Sequence, residues 1–339
     1  MTRSPNLIPL GEFKPSDQWQ THVNSIFYGI KGPEIHNHFQ TYVSLDHRLA
    51  HALAEDFFRD TVGKNPKGSV WTIQEWGVGN GNLAACFLSR LQEIDFNQQV
   101  YPFTHYILCD ESEEILKGTR ANPRLHQHQG RYSTVRIDAE NLNCFQSKSV
   151  TKIISNEIWD DLATKVVLKN ENQFYEEYLC PYLRADFLNV NEAKFLNQFQ
   201  NKNLDGLAQL PWFLDSIHWE RDFQRVDLND WPFSKSLLNH CNNLADGIPM
   251  PINIGAFAAL RKAKELLVED SLGYTGFDYG MLEFKDLNHE GRPYFNLYGG
   301  QYTFMVNFPL LEEVGREIGL SEVHKEYQNE YVKRSLESE

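Results

Sequence analysis

Val70-Trp71-Thr72-Ile73-Gln74-Glu75-Trp76-Gly77-Val78-Gly79-Asn80-Gly81-Asn82-Leu83-Ala84 is the stretch that decides the fold. An apolar, β-branched run from Val70 to Ile73 stops at an acid. Three glycines follow at alternate positions, and Leu83-Ala84-Ala85-Cys86-Phe87-Leu88 then opens an amphipathic pattern. Strand, glycine turn and helix in that order make the first crossover of an open α/β sheet. Glycine is required because the chain turns tightly, partly at positive φ, and lets a ligand approach bare backbone. Such sheets bind their ligands at the carboxyl ends of the strands, where this turn sits.

Outward from the turn the alternation continues. The helix is expected from about Leu83 to Gln92. Thr104-His105-Tyr106-Ile107-Leu108-Cys109-Asp110 reads as a second buried strand ending on an acid, and Ser112 is placed to cap the helix that follows. Ser133 to Asp138 and Lys152 to Glu157 read as a third and a fourth strand. The rhythm predicts a mostly parallel sheet with helices on both faces. Upstream, Leu45, Leu49, Leu53 and Phe57 recur at helical spacing from Tyr42 onward. Residues 186–250 break the rhythm, being rich in Asn, Gln, Asp and aromatics, and are read as an inserted lid with short helical stretches. Ile254 to Leu267 is a predicted helix, Gly273 to Gly280 a strand and turn, Tyr302 to Phe308 a strand, and Leu310 to Ile318 a helix ended by Gly319. The expected organisation is an N-terminal arm and helical cap (1–60), a cofactor-binding α/β core (61–185), a lid (186–250), completion of the core (251–325) and a frayed tail (326–339).

Composition narrows the class. A chain of 339 residues with 41% hydrophobic and 23% charged residues is ordinary for a globular protein. A net charge of −14 argues against nucleic acid and anionic membrane as partners, since both need a positive surface. Five scattered cysteines without a CxxC read as reduced thiols, and with no secretory or spanning pattern the expectation is a cytoplasmic protein. His36, His38, His47 and His51 are bunched, with the last two one helical turn apart. No carboxylate-bearing motif of metal spacing accompanies them, so no metal is expected.

The ligand follows from what surrounds the turn. A dinucleotide site prefers Gly-x-Gly-x-x-Gly, whose third glycine packs the helix, and Asn82 cannot take that part. No Lys-Ser/Thr follows, so the turn is not a phosphate-binding P-loop. Glu75, directly before the turn, would repel phosphate but suits a ligand carrying an ammonium or sulfonium group. Asp110, closing the next strand, is placed to take both hydroxyls of a ribose. S-adenosylmethionine fits this set better than NAD. Asp138 is a candidate for the adenine amine, with a surface acid as the competing reading.

Glu75 to Leu83 resembles motif I of the class I methyltransferases, and further stretches are similar to the MidA-like family, relatives of the mitochondrial complex I assembly arginine methyltransferase. These are Tyr42 to Ala50, Cys109-Asp110-Glu111-Ser112, Ser155-Asn156-Glu157-Ile158-Trp159-Asp160-Asp161-Leu162-Ala163, Phe277-Asp278-Tyr279-Gly280, and Gln301 to Phe308. The chain departs from the family pattern at Asp161, Ala163, Gln301 and Asn307. The resemblance implies a Rossmann-like, seven-stranded, mostly parallel sheet with an inserted cap, and methyl transfer from S-adenosyl-L-methionine to a protein or peptide nitrogen such as arginine. It implies that Gly77, Gly79 and Gly81 cradle the amino-acid end of the cofactor beside Glu75, that Asp110 holds the ribose, and that Asn156, Glu157 and Asp160 form the catalytic group. Asp278 and Tyr279 would line the acceptor side. Rival readings are a small-molecule O- or N-methyltransferase and a non-catalytic assembly factor; assembly as a homodimer is a further expectation.

Overall fold

Trp71–Trp76 is buried at five of its six positions, the pattern of a strand covered on both faces and flanked on both sides. The computed structural model describes residues 7–32, 47–66, 69–137, 144–187, 190–289, 291–320 and 322–337. In chain order the elements are β1 (Leu7–Pro9), β2 (Lys14–Pro15), α1 (Ser16–Lys31), α2 (Arg48–Thr61), β3 (Trp71–Trp76), α3 (Asn82–Ile94), β4 (Thr104–Asp110), α4 (Glu113–Arg120), α5 (Pro123–His126), β5 (Tyr132–Arg136) and β6 (Lys152–Asn156). There follow β7 (Lys165–Asn170), β8 (Gln173–Arg184), α6 (Glu192–Gln200), α7 (Leu204–Leu207), β9 (His218–Val226), α8 (Ser234–Asn242), β10 (Met250–Ile252), α9 (Ile254–Leu266) and β11 (Tyr274–Phe277). The last are β12 (Gly280–Met281), α10 (Phe284–Leu287), β13 (Phe295–Tyr298), β14 (Gln301–Phe304), β15 (Val306–Asn307), α11 (Phe308–Glu317) and α12 (Gln328–Glu337).

Two compact units divide the chain. The first in importance for function comprises residues 31–158, 258–278 and 324–339. Its sheet runs β11-β6-β3-β4-β5 with every neighbouring pair parallel. The sheet therefore has five strands among the described residues, where seven were expected. The shortfall has a topological cause: the segments after β11 that read as strands pair elsewhere, β14 with β13 and β15 with β12. Helices α2 and α3 pack on the sheet through Phe57, Phe87 and Tyr106, whose rings meet in sequence at 5.7 and 5.4 Å. The C-terminal segment, expected as frayed, forms α12. Tyr331 stacks edge-on against Phe277 at 5.2 Å, and Ser335 Oγ donates to Asp56 on α2 at 3.0 Å.

The other unit comprises residues 1–30, 159–257 and 279–323. Its spine is β8, a strand of 12 residues that pairs antiparallel with β1, β2, β7 and β9. The lid expected over 186–250 is not set apart in this way, because β9 pairs with β8 along its whole length, from His218 opposite Tyr182 to Val226 opposite Phe174. Its sequence, His-Trp-Glu-Arg-Asp-Phe-Gln-Arg-Val, has no buried position and hence no apolar face to betray a strand. Phe195, Phe199 and Phe213 form a ring cluster beneath α6, all three buried. Among the described residues no helix is long and apolar enough to cross a membrane.

Candidate active site at the carboxyl ends of the parallel strands

β3 lies between β4 and β6, so the chain leaves it in one direction and returns on its other side. That reversal is the topological switch point at which open α/β sheets hold their ligands. The glycine turn occupies it. Gly77, Gly79 and Gly81 have φ of +73, +51 and +75°, a region closed to most L-residues. Space adds to the requirement: a Cβ on Gly77 would come within 2.2 Å of Ile158 Cγ2. The turn is held from beneath. Thr119 Oγ1 donates to the carbonyl of Gly79 at 2.8 Å and Asn122 Nδ2 to that of Asn80 at 2.8 Å. Two backbone acceptors are thereby engaged by the α4–α5 segment.

Glu75 is 2% exposed, and its Oε2 accepts the Tyr106 hydroxyl proton at 2.7 Å. Burial raises its carboxyl to about 8, opposed by the Tyr106 bond and reinforced by Asp110. At neutral pH an acid so raised is largely protonated. Asp110 closes β4 and accepts the backbone N–H of Ser112 at 2.9 Å and that of Val78 in the turn. Its carboxyl is pushed up to about 6, again by burial first. Ser112 caps α4 by accepting the N–H of Ile115 at 3.3 Å, as its position predicted.

The Asn-Glu segment ends β6. Glu157 is in the left-handed region at φ +54°, unusual for a residue with a long side chain, and its N–H donates to Phe277 O at 2.7 Å. Asn156 Nδ2 donates to Glu157 Oε1 at 3.2 Å, and burial raises the Glu157 carboxyl. Ile158, next in sequence, is the side chain that would meet a Cβ on Gly77. Asp278, half-buried, directly follows the Phe277 carbonyl that holds Glu157. Glu75, the three glycines, Asp110, Asn156, Glu157 and Asp278 thus belong to one unit. Asp160 and Tyr279 belong to the other. There the Asp160 carbonyl accepts from Gln20 Nε2 and Phe304 N, and the Tyr279 carbonyl from Val306 N. Asp138 lies outside the described residues, as do His36, His38 and most of the Tyr42–Ala50 stretch. His47 stacks on His51 and its Nδ1 is 3.2 Å from Cys86 Sγ.

Tyr106, Thr119 and Asn122 were not singled out from the sequence. Tyr106 carried a signal: it alternates with Leu108 and Asp110, and Leu108 is the register partner of Glu75. Positions 106, 108 and 110 therefore share the face that Glu75 occupies. Thr119 and Asn122 carried none, because their targets are backbone carbonyls.

A bare glycine turn and two partly uncompensated acids at the switch point of a parallel sheet define a nucleoside-binding α/β enzyme suited to a cationic ligand. The chain belongs to the family described as "Putative S-adenosyl-L-methionine-dependent methyltransferase", which matches residues 52–274. It is an S-adenosyl-L-methionine-dependent methyltransferase, and the residues present fit that cofactor: Glu75 is a buried acid beside the turn, and the turn leaves no side chain over the backbone at three positions. Two crystal structures from Burkholderia thailandensis share the fold, one of an uncharacterized superfamily protein and one of a superfamily member bound to S-adenosyl-homocysteine. Each is 16% identical with a TM-score of 0.56 over 91% of this chain, covering 71% and 72% of the respective chains. No curated protein matches.

Proposed function

We propose that this methyltransferase acts on a protein or peptide nitrogen of the arginine type, as a MidA-like enzyme of the cytosol. The observation that carries the reading is Glu157: a carboxylate with raised proton affinity, held in a left-handed backbone conformation beside the glycine turn. Strained conformations of this kind cost about 1–3 kcal/mol and persist where surrounding structure enforces them, often at active sites. Here the N–H bond to Phe277 O and the Asn156 amide supply the enforcement.

In this reading Gly77, Gly79 and Gly81 receive the amino-acid end of the cofactor, Glu75 meets its positive charge, and Asp110 holds the ribose. Asp138 is assigned to the adenine on sequence alone. The bound cofactor supplies a methyl group on a cationic sulfur. Glu157 orients a guanidinium through paired N–H···O bonds and takes its proton as the nitrogen becomes substituted. Asn156 fixes Oε1 of that carboxylate. Asp278 lines the acceptor side of this unit, and Asp160 and Tyr279 are assigned their roles on the sequence resemblance alone. Alignment of nitrogen, carbon and sulfur supplies most of the rate enhancement. A net charge of −14 favours a basic peptide as acceptor over nucleic acid. Free cysteines throughout, including the exposed Cys144, suit a reducing compartment.

The test is transfer of labelled methyl from S-adenosyl-L-methionine to arginine-rich peptides, with Glu157→Gln as control. The wild-type chain labels arginine; the variant loses about 10²–10⁴-fold in kcat while S-adenosyl-homocysteine affinity stays within about threefold. Labelling of a metabolite hydroxyl with peptides untouched would overturn the arginine reading.

A further inference from the structure

Tyr106 spends its hydroxyl on a carboxylate that has no other hydrogen-bond partner among the described residues. Both groups are buried, the O–H···O distance is 2.7 Å, and the bond is made to Oε2 alone. No cation among the described residues pairs with Glu75. The titratable groups that share its face are Tyr106 and Asp110 on β4, with the Cys109 thiol nearby on the other face, and none of them is positive; its partner on β6 is Ile154. A carboxylate in such surroundings is costly to ionise and is relieved by taking a proton or a counter-charge.

We infer that Tyr106 is a positioning residue of the cofactor site, pinning Oε2 of Glu75 so that Oε1 exchanges a proton for the positive end of the cofactor. The inference rests on the assignment of Glu75 to that site. The exchange balances: a neutral carboxyl and a cationic ligand give a carboxylate–cation pair and one proton released to solvent. Burial sets the free carboxyl at about 8, so the free site is protonated at pH 7. Tyr106 tunes the exchange, because its hydrogen bond favours the ionised form and lowers the penalty of giving the proton up. An aromatic ring without the hydroxyl would fill the same space and lose the tuning.

The experiment is calorimetric titration of the full chain with S-adenosyl-homocysteine in buffers of different ionisation heat, from pH 6 to pH 8.5. The wild-type chain should release about 0.9 proton per ligand at pH 7 and bind about tenfold more tightly at pH 7 than at pH 6. Glu75→Gln should bind weakly, release almost no proton, and keep at most about a twofold pH effect from Asp110. Tyr106→Phe should bind about tenfold more weakly than wild type at pH 7, with the ratio shrinking to about threefold by pH 8.5. A ratio constant with pH would mean that Tyr106 only fills space, and would overturn the inference. So would absence of proton release from the wild-type chain while Glu75→Gln still weakens binding; that result leaves Glu75 in the site. Full-strength binding by Glu75→Gln would instead remove Glu75 from the site and take the inference with it. Thermal unfolding of each variant confirms that the chains compared are folded.

Discussion

Two glutamates in this molecule are buried to the same degree and meet opposite ends. Glu177, on β8 of the antiparallel unit, is fully buried and accepts the Tyr294 hydroxyl at 2.6 Å. Glu75, on β3 of the parallel unit, is 2% exposed and accepts the Tyr106 hydroxyl at 2.7 Å. Burial raises both carboxyls and the tyrosine opposes it in both. The difference is Arg221, whose Nε lies 3.2 Å from Glu177 Oε1 and whose guanidinium stacks over Phe295 at 4.3 Å. Glu177 has its counter-charge in the fold; Glu75 has none among the described residues. A buried acid whose cation is built in is a structural element, whereas Glu75, in the function proposed above, takes its counter-charge from the cofactor.

The comparison is broken most severely at the turn beside Glu75. Gly79→Arg sets a long side chain at φ +51° on the backbone proposed to receive the cofactor, and S-adenosyl-homocysteine affinity should fall by at least about 10³-fold in calorimetry. Removing the built-in cation comes next. Arg221→Met leaves Glu177 unpaired; since Arg221 is partly exposed, the loss should be about 2–3 kcal/mol in urea unfolding, below the range for a fully buried pair, and cofactor should not selectively restore it. The smallest effect concerns pH. Glu75 and Asp110 have folded values of about 8 and about 6, raised above those of the unfolded chain. The folded state therefore binds more protons, and the stability they contribute is complete near pH 4 and is lost as pH rises through 6 and then 8. Glu75→Gln should flatten the upper part of that fall, gaining on the order of 2 kcal/mol at pH 8.5 without ligand. If the variant is no more stable there than wild type, Glu75 is not the uncompensated acid described.

Lys152 sharpens the contrast from the other end of the same sheet. It opens β6, is buried, and is lowered to about 8 by desolvation. Its Nζ nevertheless donates to Leu272 O at 3.1 Å and Thr275 Oγ1 at 2.7 Å. At the amino end of β6 the buried cation thus has polar partners drawn from the fold, whereas at the carboxyl end of β3 the buried Glu75 has the Tyr106 hydroxyl. Sheets of this kind place stability at one end and chemistry at the other.

How much of this was legible in the sequence depended on where each residue finds its partner. The glycine turn, Asp110 and Ser112 were readable because their constraints are local: positive φ, the end of a strand, the start of a helix. The parallel strands were readable because short apolar runs ending on an acid recur between helical patterns, as in β3 and β4. β9 was not, since its residues alternate without an apolar face and only pairing with β8 defines the strand. The helix α12 was hidden for a similar reason: Gln328–Glu337 is mostly polar, and its order comes from Tyr331 against Phe277 and Ser335 against Asp56. Tyr106 was legible as core but not as a partner, because a strand tyrosine in the interior needs an acceptor that sequence spacing does not identify.

The central claim is that the cofactor lies on the turn at residues 77–81, with Glu75 and Asp110 as its charged and ribose-binding partners. A crystal structure of the chain with S-adenosyl-homocysteine tests it directly. The account predicts ribose hydroxyls within about 3 Å of the Asp110 carboxylate and the ligand's amino-acid end against Gly77–Gly81 on the Glu75 side. A ligand bound away from the carboxyl ends of β3 and β4, or an Asp110 carboxylate turned from the sugar, would contradict it.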